Sequence, residues 1–190
     1  MYKKLYFLMT QKPILTIDFD GIICRPIFNK NWGIHSTPTD PSKMAEPATI
    51  TPKWWRDLWD HIRFDRRQIL PNTIEALENL TCLRTLILLT GRRSSPEKWL
   101  IKYKLSHYFS DVVINTSPYK SAYYKLKYIQ SHEVKEHIDD DPRTVWLLSE
   151  HSKAKIFLRN WPENHNLEIS KPIERINSLV ELSYFLQKNS

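Results

Sequence analysis

Short apolar segments alternate with amphipathic ones along most of the chain, and this alternation limits the fold more than any other feature of the sequence. We predict five strands: four in apolar segments at 13–20, 84–90, 111–115 and 155–158, and a short one at 136–139. The amphipathic segments predict helices at 72–80, 94–104, 118–131, 144–150 and 173–187. Strands that alternate with helices are joined by right-handed crossovers and pair in parallel. We therefore predict an α/β protein with a three-layer, doubly wound and mostly parallel sheet.

The alternation is interrupted after the first strand. Residues 22–70 contain five prolines and four of the seven tryptophans, and they favour a single helix that starts at Pro52 with Thr51 as its N-cap. This stretch is long enough for a small insertion between two parts of one core. We predict that residues 1–21 and 71–190 form the core and that 22–70 form the insertion.

Composition excludes several kinds of site. Gly21, Gly33 and Gly91 are the only glycines, so the glycine-rich loops that bind dinucleotides or nucleotide triphosphates are absent. Cys24 and Cys82 are too few for a disulfide framework or a cysteine-rich zinc site. No run of about 18 apolar residues occurs, so the sequence predicts no membrane span. The N-terminal apolar segment is shorter than a secretory signal, and we expect a cytoplasmic protein.

Acidic residues cluster where two of the predicted strands end. The first strand ends in Asp18-Phe19-Asp20, and the alternation of side chains in an extended segment directs both carboxylates to one side. The fourth strand ends in Asp139-Asp140. The carboxyl ends of parallel strands meet at one edge of a sheet, where such sheets bind ligands. Carboxylates gathered there repel each other unless a cation lies between them, and Mg²⁺ prefers oxygen ligands of this kind.

Groups suited to binding a phosphate follow the second predicted strand and precede the fourth. The second strand ends with Thr90, Gly91 and Arg92, which offer a hydroxyl, an accessible backbone amide and a cation. Lys120 and Lys125 follow before the fourth strand, and either could neutralise a bound anion. Each feature alone is more often structural, as a turn, a helix cap or a solvated lysine. Their occurrence on successive strand ends favours a functional site.

The motif order D-x-D, T-G-R after an apolar strand, lysine and D-D resembles the haloacid dehalogenase-like (HAD) superfamily of phosphohydrolases over about 13–158. Within it, the chain looks closest to small 5′-nucleotidase-like and nucleic-acid-repair phosphatases. The resemblance implies a Rossmann-like core, a cap formed by the insertion at 22–70, and Mg²⁺-dependent hydrolysis of a phosphomonoester.

The resemblance also implies roles for the acidic residues. Asp18 would be the nucleophile that forms an aspartyl-phosphate. Asp20 would be the general acid that protonates the leaving oxygen and then the base that activates water. The implied metal ligands are Asp18, the backbone carbonyl of Asp20, and Asp139 and Asp140, each of which would hold the ion directly or through water. Asp141 is additional to the usual pair, and we interpret it as the N-cap of the next helix.

Thr90 and Gly91 would bind the phosphoryl group, together with one lysine. Lys120 lies at a predicted helix start, as the motif usually does, whereas Lys125 has the closer local pattern of an aromatic residue, lysine and apolar residues. We prefer Lys125 and keep Lys120 as the alternative. Arg159, Asn160 and Trp161 follow the fifth strand, and they are further candidates to line the crevice.

The net charge of +7 attracts anions but does not select among them. The predicted substrate is a phosphorylated small molecule or nucleotide, with a nucleic-acid end as an extension of the same hypothesis. Two alternatives remain open: a catalytically idle HAD-like module that binds nucleic acid or protein, and a phosphotransferase acting on sugar phosphates. The presence of both Asp18 and Asp20 argues against an idle module. The sequence predicts no oligomeric state.

Overall fold

The computed structural model of the chain describes residues 12–26, 67–165 and 173–189. The predicted helix from Pro52 and most of the predicted insertion lie outside the described residues, so the division into core and cap-like insertion stays a prediction. Among the helices that are described, none has the length and apolar character needed to cross a membrane.

Within the described residues, six strands form one sheet. They are β1 Ile14–Ile17, β2 Thr85–Thr90, β3 Asp111–Ile114, β4 Glu136–Asp139, β5 Lys155–Arg159 and β6 Glu174–Ile176. Every pair is parallel, and the order across the sheet is β3-β2-β1-β4-β5-β6. The predicted α/β, doubly wound sheet is confirmed. The order reverses between β1 and β4, and open sheets of this kind bind ligands in the crevice beyond such a reversal.

Helices cover both faces of the sheet. They are α1 Thr73–Leu83, α2 Glu97–Lys102, α3 Ser121–Ser131, α4 Pro142–His151 and α5 Leu179–Lys188, and a 3₁₀ turn spans Ser106–Tyr108. The helices α1 and α5 pack against each other over one apolar cluster, and α3 and α4 pack together over a second. Because both faces are covered, the central strands β1 and β2 are apolar and almost wholly buried.

The sequence spacing of Ile74, Leu77 and Leu80 predicts that all three face the core, but the side chain of Ile74 is 46% exposed, so the prediction is wrong for Ile74. The buried residues of α1 are Thr73, Ala76, Leu77 and Leu80, which are spaced as one helical stripe. Ile74 lies outside that stripe.

The prediction of one closing helix over 173–187 is also wrong, because β6 and α5 share this segment. β6 has three residues and, among the strands that the structure describes, pairs with β5 alone. So short an edge strand carries no alternation that a sequence could reveal. The start of α5 does leave a signal. The Ser178 hydroxyl oxygen accepts a hydrogen bond from the backbone N–H of Glu181 at 3.1 Å, as the Ser-x-x-Glu spacing of a capping box predicts.

A buried ion pair joins β2 to β4 at the edge of the sheet opposite the crevice. Arg84 donates from Nε to Glu136 Oε2 at 2.6 Å and from Nη2 to Oε1 at 3.0 Å. Arg84 directly precedes β2, and Glu136 is the first residue of β4. The ion pair therefore joins the amino ends of the two strands, whereas the predicted site lies at the carboxyl ends.

Candidate active site

The carboxyl ends of β1 and β4 bring three aspartates together. Ile17 pairs with Ile138 in register, and the backbone N–H of Asp18 donates to the carbonyl of Ile138 at 3.1 Å. Asp18 and Asp139 thus follow neighbouring positions of adjacent strands. Each of Asp18, Asp139 and Asp140 offers a carboxylate oxygen, and these oxygens lie within 4.8 Å of one another. All three side chains are buried, and we call them the acidic cluster.

Lys125 reaches the acidic cluster from α3. Its Nζ lies 2.7 Å from Asp18 Oδ1 and 2.7 Å from Asp139 Oδ2. Burial alone would lower the pKa of Lys125, but the attraction of Asp139 and Asp18 outweighs burial and raises it above the usual value. Lys120, by contrast, is exposed and directly precedes α3. The structure therefore brings Lys125, and not Lys120, to the aspartates.

One ammonium group does not neutralise three buried carboxylates. Burial, together with the charges of Asp139 and Asp20, raises the pKa of Asp18 to about 7, despite the opposing effect of Lys125. Burial and the charges of Asp139 and Asp18 also raise the pKa of Asp140 well above its usual value. Burial would raise the pKa of Asp139 too, but Lys125 and His137 outweigh it and lower the pKa. The excess negative charge and the purely oxygen donors fit a Mg²⁺ ion.

Asp20 lies outside the acidic cluster, at the rim of the crevice. Its side chain is 34% exposed and forms an ion pair with Arg67. The backbone carbonyl of Arg67 accepts hydrogen bonds from Trp99 Nε1 at 3.0 Å and from the Tyr103 hydroxyl at 2.9 Å, so α2 fixes the position of Arg67. This partner of Asp20 is not evident from the sequence, because Arg67 lies within the predicted insertion and has the pattern of a solvated cation.

The loop after β1 is tight. Gly21 has φ of 74°, a left-handed conformation that glycine adopts without strain. Its backbone N–H donates to the carbonyl of Cys24 at 3.0 Å, and the N–H of Cys24 donates to the carbonyl of Phe19 at 3.1 Å. Burial raises the pKa of the Cys24 thiol to about 12, so it stays protonated in neutral solution. The loop is therefore a tight turn, and Asp20 lies at the opening of the crevice.

Thr90 and Gly91 lie at the carboxyl end of β2. Thr90 is buried, and its hydroxyl oxygen accepts from the backbone N–H of Arg92 at 3.3 Å. The first residue of α3 packs directly on Gly91: a Cβ added there would lie 2.0 Å from Ser121 Oγ and 2.5 Å from Ser121 Cβ. Glycine is therefore needed for close approach of the helix that carries Lys125.

We expect Gly91→Ala to lower the free energy of unfolding by about 1–3 kcal/mol, because the added methyl group displaces the start of α3. The backbone of Gly91 is not left-handed, so the effect arises from the contact with Ser121 and not from strain. Ser121→Gly removes both contacting atoms and should restore most of the loss in the double variant. Urea unfolding of the two single variants and the double variant measures this coupling. Additive effects would contradict the packing explanation.

His137 is a buried neighbour of the acidic cluster that sequence analysis missed. Its Nε2 lies 3.2 Å from Asp139 Oδ2, and its Nδ1 lies 2.8 Å from Thr16 Oγ1. Burial lowers the pKa of His137, so the neutral ring donates from Nε2 to Asp139 and accepts from Thr16. A signal for this contact was present, because residues two apart in a strand share a side and His137 lies two before Asp139.

Asp141 is the N-cap of α4, as predicted. The Asp141 side chain accepts from the backbone N–H of Arg143 at 3.1 Å, directly before Pro142 opens the helix. Its own backbone N–H donates to Asp139 Oδ1 at 3.0 Å. Asp139 is thus held from three sides, by Lys125, His137 and the amide of Asp141.

Solved structures resemble the chain throughout its length. A haloacid dehalogenase-like hydrolase from Streptococcus pneumoniae has a TM-score of 0.61 at 18% identity, covering 93% of this chain and 100% of that one. D,D-heptose 1,7-bisphosphate phosphatase from B. bronchiseptica, solved with magnesium and phosphate, has a TM-score of 0.57 at 9% identity, covering 94% and 99%. A HAD phosphatase from Thermococcus onnurineus has a TM-score of 0.58 at 16% identity, covering 93% and 98%.

No protein-family model matches the chain, and neither does the sequence of any curated protein. The likeness is therefore one of architecture. The narrower resemblance to 5′-nucleotidase-like phosphatases stays a prediction. The chain has the fold of the haloacid dehalogenase-like hydrolases, as the order of its motifs predicts.

Proposed function

We propose that the chain is a Mg²⁺-dependent phosphomonoester hydrolase that works through an aspartyl-phosphate at Asp18. The observation that carries the proposal is the acidic cluster at the reversal of strand order, with Lys125 bound to two of its members. The similarity in fold to a phosphatase solved with magnesium and phosphate supports the same chemistry.

Asp18, Asp140 and the backbone carbonyl of Asp20 would hold the metal ion. Asp139 would act differently, because Lys125 and His137 occupy its Oδ2 and the amide of Asp141 occupies its Oδ1. We infer that Asp139 holds Lys125 in place and that Asp140 is the direct ligand. A bound Mg²⁺ ion would offset the repulsion between the carboxylate of Asp18 and an anionic phosphate.

Asp18 would attack phosphorus in line with the ester bond. The new bond joins its carboxylate oxygen to phosphorus, and the bond from phosphorus to the leaving oxygen breaks. Asp20 is suited to the proton transfers, because it lies two residues away and its partly exposed side chain faces solvent. It would protonate the leaving oxygen and then take a proton from the water that hydrolyses the aspartyl-phosphate.

Thr90, the amide of Gly91 and Lys125 would bind the phosphoryl oxygens. Lys125 pairs with Asp18 and so lies where the transferred group must arrive. Holding donors in fixed positions stabilises the charge that develops on those oxygens, at no cost of reorganisation during the reaction. We assign no role to Lys120 in this step, because its exposed side chain precedes α3.

For the substrate we propose a nucleotide or a nucleic-acid-end phosphate, which the net charge of +7 would attract.

The test is phosphate release from a panel of nucleotides, sugar phosphates and oligonucleotides phosphorylated at either end, with and without Mg²⁺. We expect Mg²⁺-dependent release, fastest with the nucleotide-like members. Fastest release from sugar phosphates would overturn the substrate assignment. Phosphate transfer to a second sugar would indicate a phosphotransferase, and no turnover of any member would favour the idle binding module.

We expect the thermal stabilisation by saturating Mg²⁺ to be larger at pH 8 than at pH 5. Without a cation, the pKa of Asp18 is about 7 instead of 3.8, so its ionisation costs the folded protein stability as the pH rises from 3.8 to about 7. At pH 5 the ion must displace that proton, which weakens apparent binding by about 100-fold, or about 2.7 kcal/mol. Asp140, whose pKa is also raised, acts in the same direction.

His137 acts in the same direction. Burial lowers the pKa of His137, so it contributes stability that is present above pH 6.5 and is lost on acidification. Its ring contacts Asp139, and a Mg²⁺ ion in the acidic cluster would oppose protonation of that ring, so acidification would weaken Mg²⁺ binding further. Equal Mg²⁺-induced shifts at pH 5 and pH 8 would contradict the binding of the ion by Asp18.

A further inference from the structure

Three side chains after β5 donate hydrogen bonds to the backbone of the two loops that carry the acidic residues. They are Arg159, the last residue of β5, with Trp161 and Asn164 in the segment that follows. From the sequence, Arg159 and Trp161 are candidates to line the crevice, and Asn164 has no predicted role. Backbone carbonyls accept these hydrogen bonds. We call these three residues the clamp.

Arg159 holds the loop after β1. Its Nη1 donates to the carbonyl of Gly21 at 2.7 Å and to the carbonyl of Ile22 at 3.0 Å. The guanidinium is largely buried and stacks on the ring of Trp161, 4.7 Å from the ring centroid. Burial lowers the pKa of Arg159 to about 10, with Asp140 opposing the shift, so the group stays charged in neutral solution. The buried guanidinium of Arg159 thus binds the backbone carbonyls of the two residues that follow Asp20.

Trp161 and Asn164 complete the clamp. Trp161 Nε1 donates to the same carbonyl of Gly21 at 3.1 Å. Asn164 is fully buried, and its Nδ2 donates to the carbonyl of Asp140 at 2.9 Å and to the carbonyl of Arg159 at 2.8 Å. Its Oδ1 accepts from the backbone N–H of Trp161 at 2.9 Å. One short segment therefore binds the loop after Asp20 and the residue Asp140 itself.

This arrangement fixes the spacing between two parts of the chain that β-sheet pairing alone does not hold. The register of β1 with β4 extends to Ile17 and Ile138, and the loop residues Gly21, Ile22 and Asp140 follow beyond these paired positions. The clamp joins the two loops through the backbone carbonyls of Gly21, Ile22 and Asp140. Groups that hydrogen-bond to metal-ligating residues orient those ligands, and their loss typically weakens metal binding by about 10- to 100-fold.

We propose that Arg159, Trp161 and Asn164 are positioning residues that set the separation of the loops after β1 and β4, and thereby the affinity for Mg²⁺ and the rate of phosphoryl transfer. The inference rests on the proposed function for its effect on rate, but not for its effect on metal binding. A purely structural role would lower stability and leave the metal affinity of the folded protein unchanged.

The test compares Trp161→Phe and Asn164→Ala with wild type, and Asn160→Ala serves as the matched control. Asn160 lies in the same segment and is a candidate from the sequence to line the crevice, but its side chain bonds Asn177 and Arg175 instead, at the end of β6. Trp161→Phe removes one donor and keeps an aromatic ring, so it remains informative even where Asn164→Ala does not fold. Two measurements apply to each folded variant: Mg²⁺ binding by calorimetry without substrate, and kcat and KM at saturating Mg²⁺.

We expect Trp161→Phe to weaken Mg²⁺ binding by about 10-fold and Asn164→Ala by more, with a comparable fall in kcat and little change in KM. Asn160→Ala should bind Mg²⁺ as wild type does. Variants that are less stable but bind Mg²⁺ with unchanged affinity would overturn the clamp, as would a wild type that binds no Mg²⁺. A wild type that hydrolyses nothing, yet binds Mg²⁺ more tightly than Trp161→Phe, would overturn the proposed function and support the clamp.

Discussion

Asp18→Asn is expected to lower phosphomonoester hydrolysis by about 10⁴-fold or more. An amide oxygen does not displace an alcohol from phosphorus, and effects of this size follow the loss of a nucleophile in enzymes that form covalent intermediates. The metal-free variant should unfold at no lower temperature than wild type. Burial and neighbouring charges disfavour the ionised carboxylate of Asp18, so a neutral amide relieves that cost.

The measurement is phosphate release from p-nitrophenyl phosphate and from the best member of the substrate panel, with and without Mg²⁺. Asp141→Asn is the matched control, because it makes the same chemical change beside the site and asparagine still caps a helix. We expect the control to keep activity within about threefold of wild type, since a retained cap leaves the start of α4 in place. Activity that survives in Asp18→Asn would identify a different nucleophile.

Lys125→Met is expected to lower the free energy of unfolding by about 3–5 kcal/mol, because it leaves the buried carboxylates of Asp18 and Asp139 without their cation. We also expect kcat/KM of the folded protein to fall by about 10²- to 10³-fold, since a fixed positive charge is lost where phosphoryl charge develops. Saturating Mg²⁺ should restore part of the stability but not the activity. Urea unfolding and steady-state kinetics measure the two effects separately.

Arg84→Met distinguishes these two effects of Lys125. It also removes the cation of a buried ion pair, but at the opposite edge of the sheet, so it should cost a similar free energy of unfolding. Its kcat/KM should match that of wild type under conditions where it is folded. A Lys125→Met protein whose kcat/KM also matches wild type would show that Lys125 is structural only.

The elements that a sequence can predict here are those with local causes. Five of the six described strands are predicted, four of them from apolar runs, and their parallel pairing follows from the helices between them. The proximity of Asp18 and Asp139 follows in turn. Asp18 directly follows β1, Asp139 ends β4, and the carboxyl ends of these parallel strands lie at one edge of the sheet. Residue order alone thus yields the fold class and a candidate position for the acidic cluster.

The remaining features depend on contacts between distant parts of the chain. The preference for Lys125 over Lys120 could not be decided from spacing, because it depends on where α3 begins and which of its faces is buried. Arg67 meets Asp20 from 47 residues away, and Arg159 meets Gly21 from 138 residues away. Contacts at such separations have no local pattern. β6 was missed for the different reason that three residues are too few to show a period.

The two cysteines of the chain differ in a way that matters for handling the protein. Thiolate is the form that alkylating agents and peroxides attack, and Cys24 stays a thiol because its pKa is about 12. Cys82 is exposed on α1. A maleimide dye or a spin label should therefore attach at Cys82 and spare the loop beside Asp20, which gives a reporter on the helical layer without an engineered cysteine.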